Sequence, residues 1–132
     1  LGRREPEVYG RTTLAEVESL VRADAAELGI EVEWHQSNHE GALVDLVQAM
    51  PGRADGLIVN AGAFTHTSLA LRDAFLAVRV PFVEVHLSNL FAREPARRHS
   101  HLADLALGFI CGFGADGYRL ALRALAGRLR GG

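Results

Sequence analysis

The chain contains no lysine; all 14 of its basic residues are arginine. That excludes any mechanism built on a lysine imine and any phosphate loop that closes on Gly-Lys-Ser/Thr. One cysteine, Cys111, rules out an internal disulfide. It lies in the apolar run LALGFIC, so a buried, inert thiol is expected there. No apolar run approaches the ~20 residues needed to cross a bilayer. Nothing in the sequence reads as a secretory signal, and a reducing cytoplasm is the expected location. The net charge of −2 offers no excess of positive charge for nucleic acid or for an anionic membrane. Repeats, low-complexity stretches and linkers are absent as well.

What is present fits one domain over residues 1–132. The composition, 48% hydrophobic and 23% charged, suits a globule that buries a core. Helix and strand signals alternate. TTLAEVESLVRADAAELG carries an apolar stripe (Leu14, Val17, Leu20, Val21, Ala25, Leu28), a cap at Thr13 with Glu16 three residues on, and a stop at Gly29. IEVEW reads as a short alternating strand, and GALVDLVQAM as a helix ended by Pro51-Gly52. GLIVN is a strand, SLALRDAFLAV a helix, PFVEV a strand running into His86, LALGFIC a strand and ADGYRLALRALAGRL a helix. The last carries Arg119, Arg123 and Arg128 on its polar side. Such alternation predicts an α/β fold with a parallel sheet covered on both faces. Ligands in such folds sit at the carboxyl ends of strands. One oddity is that the first visible element is a helix, where a doubly wound domain usually opens on a strand.

The segments after the strands therefore matter most. GFGADG holds Gly112, Gly114 and Gly117 in a G-x-G-x-x-G pattern. It reads as a dinucleotide turn or, better, as glycines for a tight turn and close helix packing. His35 with His39, and His99 with His101, are close pairs, but no further ligand completes a metal site. NAGAFTHTS places Asn60 at a strand end, with Gly62, Thr65, His66, Thr67 and Ser68 behind it; Thr67 or Ser68 can cap the next helix. EVHLSN is the sharpest stretch. Glu84 and His86, two apart on a strand, point the same way. A carboxylate can orient the imidazole and hold its proton for general-acid use. Ser88 and the backbone around Leu87 can bind an anion, and Arg93, Arg97 and Arg98 follow with positive charge. At the other end of the chain, LGRREPEVYG sets Arg3 and Arg4 near Tyr9. A free tyrosine has a pKa near ~10; a neighbouring guanidinium favours the phenolate and makes the residue a general base. Together these groups describe proton abstraction beside a carbonyl followed by loss of water.

LGRREPEVYG, QSNHEG, NAGAFTHTS, LRDA, EVHLSN, RRHS and GYRLALRALA occur in the order and at the spacing of the type II 3-dehydroquinate dehydratases, which the chain resembles over essentially its whole length. The resemblance implies a flavodoxin-like three-layer sandwich. It implies the conversion of 3-dehydroquinate to 3-dehydroshikimate and water in the shikimate or quinate pathway, with no cofactor and no metal. It also implies a dodecamer built as a tetramer of trimers. Tyr9 matches the family's base and Arg4 the arginine that lowers its pKa, with Arg93 a helper. His86 matches the acid, Glu84 its orienting partner, and Asn60 the residue that sets the geometry of His86 and the departing hydroxyl. Leu87, by its backbone, and Ser88 match the carboxylate binders; His66 and Arg97 match contacts to ring hydroxyls; Asp73 matches an aspartate that reaches a neighbouring subunit's site. Residues 1–12 match the active-site lid.

The chain departs from the family in two places. The family opens with an apolar strand and a G-P-N-L-N stretch, and this sequence starts just after them. The expectation is that the working protein is longer, with the first strand central in a 2-1-3-4-5 sheet; an intact mass matching only these 132 residues would refute it. At Pro95-Ala96 the family carries an aromatic residue before the arginine. Two other functions stay open at this level: a flavin- or nucleotide-binding module on the same fold, and a catalytically silent relative that binds a cyclic hydroxy acid.

Overall fold

The computed structural model describes residues 13–131. These residues form four α-helices, α1 (Leu14–Leu28), α2 (Glu40–Gln48), α3 (Leu69–Val78) and α4 (Asp116–Leu129), and three strands, β1 (Leu57–Val59), β2 (Phe82–His86) and β3 (Gly108–Cys111), in the chain order α1-α2-β1-α3-β2-β3-α4. The strands form a parallel sheet in the order β1-β2-β3, with Leu57 opposite Phe82 and Val83 opposite Gly108. Every residue of β2 is buried, as the middle strand of a sheet covered on both faces should be.

The side-chain period of two divides β2 between two cores. Val83 and Val85 point to one face, where α1 and α4 supply Val17, Val21, Ala25, Ala121, Leu122 and Leu125. Phe82 points to the other, where α2 and α3 supply Val47, Leu71, Ala74 and Phe75. Phe75 and Phe82 stack there with ring centroids 4.2 Å apart. Glu84 and His86 share the face of Phe82, so two ionisable side chains extend an apolar column toward the strand's carboxyl end.

The helix ends follow the chemistry of their caps. Thr13 Oγ1 accepts from the Glu16 N–H at 3.1 Å, and Gly29 closes α1 with a left-handed φ of 70°. Ser68 caps α3 by accepting from the Leu71 N–H. One link was invisible in the helix pattern. Asp24, buried on α1, receives two hydrogen bonds from Arg119 of α4, at 2.7 and 3.2 Å. That pair holds the carboxyl of Asp24 below its ordinary pKa, the Arg119 hydrogen bond prevailing over burial.

Two expectations need correction. Residues 30–34 form no strand. Their alternation is real, since Ile30, Val32 and Trp34 pack on the α1–α4 core while Glu31 and Glu33 are exposed. A strand also needs a ladder, and no strand of the described residues lies beside this segment to supply one. Cys111 is half-buried rather than buried, because it ends an edge strand; its thiol lies 3.8 Å from Asn89 Oδ1.

The glycines of GFGADG have structural duties. Gly112 and Gly114 take φ values of 96° and 57°, and Gly117 lets α4 sit close to β2, where an added Cβ would meet Val85 Cγ1 at 3.2 Å. At Gly112 a Cβ would also lie 3.3 Å from Asn89 Cβ. Gly112→Ala is therefore expected to lower stability by about 1–2 kcal/mol, read as a drop in the urea midpoint at unchanged m.

Candidate active site

Because the three strands are parallel, Asn60, His86 and the Gly112 turn emerge at the same end of the sheet. Glu84 is 0% and His86 4% exposed. His86 Nε2–H donates to Glu84 Oε2 at 2.6 Å. This fixes the ring orientation and leaves Nδ1 as the nitrogen not bound to the carboxylate. Nδ1 makes no hydrogen bond among the described residues, and no fully buried polar side-chain atom among them lacks a partner. The ring packs between His66, near-parallel at 6.5 Å, and Phe109, tilted at 5.6 Å. A solvated surface ion pair would look quite different.

A carboxylate with no solvent exposure must be compensated. Thr65 Oγ1 donates to Glu84 Oε2 at 2.6 Å, and Ser100 Oγ lies 2.8 and 2.9 Å from the two oxygens. Burial raises the Glu84 pKa, but the hydrogen bonds from His86, Thr65 and Ser100 and the His86 charge outweigh it. Glu84 therefore lies below the ordinary carboxylate range. It stays an anion beside the imidazole.

Asn60 is held at both ends of its amide. Its Nδ2 donates to Tyr118 Oη at 2.9 Å, and its Oδ1 accepts from the Gly62 N–H at 3.0 Å. One N–H and one lone pair remain to face a ligand. Beyond β2 the chain turns. The carbonyls of His86 and Leu87 accept from the Gly112 and Gly114 N–H groups. The N–H groups of Leu87 and Ser88 have no partner among the described residues. Two adjacent N–H groups with no partner among the described residues, beside a half-buried hydroxyl, have the donor arrangement that can take an anion.

His66, in the turn Gly62–His66, donates from Nδ1 to the His99 carbonyl at 2.8 Å. The structure therefore brings Glu84, His86, His66, Asn60, Leu87 and Ser88 to one end of the sheet. Arg97 is placed differently: it sits in the turn Pro95–Arg97 with Nε bound to Glu94 at 2.6 Å, and no contact joins it to His86 or Asn60. Asp73 is exposed on α3. Tyr9 and Arg4, and the whole segment 1–12, lie outside the described residues. Sequence reasoning named Thr65 only as a polar residue of its motif and missed the parts played by Ser100 and Tyr118. The only signal for Ser100 was its place at the end of RRHS.

Fold and site define an α/β protein, flavodoxin-like in its sheet, with a buried carboxylate–imidazole pair at the carboxyl ends of its strands. The family model for class II dehydroquinases matches residues 1–126. A 3-dehydroquinate dehydratase of Synechococcus sp. (strain WH7803) is 56% identical over 131 residues, covering 99% of this chain and 89% of the relative. A catabolic 3-dehydroquinase 1 of Aspergillus terreus is 56% identical over 126 residues, 96% of this chain and 83% of the relative. The crystal structure of a type II dehydroquinase from Butyrivibrio crossotus superposes with a TM-score of 0.92 at 38% identity, covering 95% of this chain and 88% of that one. The chain belongs to the class II dehydroquinase family.

Proposed function

We propose that the chain removes water from 3-dehydroquinate to give 3-dehydroshikimate. The observation that carries this reading is the buried Glu84–His86 pair, with Nδ1 not bound to the carboxylate, next to the N–H groups of Leu87 and Ser88, which have no partner among the described residues. The anion seat takes the ring carboxylate. Tyr9, held as phenolate by Arg4 with help from Arg93, removes the proton from the carbon next to the ketone and leaves an enolate. As the enolate collapses, the C–O bond of the β-hydroxyl breaks, and His86 delivers the proton that lets it leave as water. The new C=C bond is conjugated with the ketone. Asn60, with its amide clamped, sets the position of the departing hydroxyl against His86. His66 and Arg97 contact ring hydroxyls, the latter after release from Glu94, and residues 1–12 close over the substrate.

No cofactor or metal enters this scheme, because every proton moves between side chain and substrate. We place the enzyme in the cytoplasm, in the shikimate or quinate route, as a dodecamer made of four trimers. Asp73, exposed on α3, then reaches a neighbouring subunit's site. Mixed with 3-dehydroquinate, the protein is expected to give a steady rise in the ultraviolet absorbance of the enone. The rate should be unchanged by chelator or borohydride. A flat trace from folded protein that still binds a ring-carboxylate analogue would overturn the reaction and leave a binding protein.

A further inference from the structure

Glu84 is surrounded by donors that the reaction itself does not consume. Ser100 lies 16 residues on, at the far end of the arginine-rich loop, and Thr65 lies in the turn after β1. Both converge on one carboxylate. The Ser100 hydroxyl uses all of its capacity: its hydrogen is shared between the two Glu84 oxygens, and its lone pairs accept from the Leu102 and Ala103 N–H groups at 3.0 and 3.1 Å. The Ser100 hydroxyl is therefore not free to rotate away. The two segments are also tied to each other, since the His101 N–H donates to the Thr65 carbonyl and His66 Nδ1 donates to the His99 carbonyl.

We propose that Thr65 and Ser100 are positioning residues whose two hydroxyls keep Glu84 an oriented anion, so that the proton shared with Glu84 stays on His86 Nε2 and the ring, as an imidazolium facing that anion, carries a second proton at Nδ1 for delivery. This rests on the reading of His86 as the acid. Without the hydroxyl donors a fully buried carboxylate would draw that proton to itself, and the pair would become a neutral acid beside a neutral ring. The groups that face Glu84 are Thr65 from the turn after β1, His86 on its own strand and Ser100 from the loop before β3. His66 is the further titratable neighbour, stacked on His86.

The test is a pair of variants. Ser100→Ala and Thr65→Val each remove one hydroxyl donor; Ser100→Thr restores it. Glu84 is ionised in the productive state, and its folded pKa is depressed, so activity is lost as pH falls through that pKa. Removing a donor raises the pKa. The acid limb of kcat/KM is expected to move up by about one pH unit in each variant, with the alkaline limb in place, and to return in Ser100→Thr. A merely structural role would lower the melting temperature and leave the limb where it was, and that result overturns the proposal. Ser100→Ala also unpairs two backbone N–H groups and could fail to fold. Thr65→Val and the unmodified chain carry the test in that case: with 13C-labelled glutamate, the Glu84 carboxyl carbon should report an anion from neutral pH down to about pH 5. Titration between pH 5 and 8 refutes the idea. This spectroscopic result does not depend on turnover, so it separates the clamp from the acid assignment, which fails instead if His86→Asn turns over like the unmodified enzyme.

Discussion

Replacing His86 by asparagine is expected to lower kcat by about 10²–10⁴-fold, the range that a positioned general acid contributes. In the proposed reaction the proton must reach a hydroxide-like leaving group, and Nδ1 is its donor. Nε2 is committed to Glu84 at 2.6 Å. Asparagine keeps a polar side chain near the carboxylate but supplies no transferable proton at neutral pH. The enolate should still form, so the variant should retain exchange of the substrate's α-proton with deuterium from solvent while product formation stalls. Steady-state rates with 3-dehydroquinate and mass spectrometry of recovered substrate measure both quantities. A kcat within tenfold of the unmodified enzyme would remove His86 from the acid role.

Tyr9→Phe should lose turnover to a comparable degree, about 10²–10⁴-fold, and fail in the opposite half of the reaction. With no phenolate to take the proton, deuterium exchange stops along with product formation. Binding of a ring-carboxylate analogue should persist, because the anion seat at Leu87 and Ser88 does not involve Tyr9. The phenol needs help to ionise near neutrality, its ordinary pKa being near ~10. Arg4→Met should therefore push the activity's rise with pH to more alkaline values, an arginine beside a phenol favouring the charged form. Exchange at an undiminished rate in Tyr9→Phe would assign the base to another group. The contrast in exchange between the two variants tests the order of events as well as the identities.

Much of this architecture was legible in the chain because local chemistry and global fold agree. The stripe Leu14–Leu28, the cap at Ser68 and the buried run PFVEV each specify an element by themselves. Glu84 and His86 were legible for the same reason, since a strand's period of two puts them on one face whatever surrounds it. Failures occurred where the outcome depends on a distant partner. Ile30–Trp34 has the pattern of a strand, but pattern fixes only which side chains turn inward. The ladder depends on a neighbour. Asp24 is buried on its helix because Arg119, 95 residues later, satisfies its carboxylate. Ser100 and Tyr118 act at the site through long-range hydrogen bonds that no local spacing encodes. The hold of Glu94 on Arg97, in the turn started by Pro95, was likewise not read from the sequence.

The bond from His66 to the His99 carbonyl has a consequence for selectivity. A carbonyl oxygen only accepts, so Nδ1 must carry the hydrogen, and a neutral ring then shows the site nothing but the lone pair of Nε2. Such a group reads the hydrogen of a hydroxyl and is blind to a bare oxygen. At the ring position the proposed function assigns to His66, a sugar-like alcohol should be accepted, while a methyl ether, a fluorine or a second ketone of the same size should be turned away.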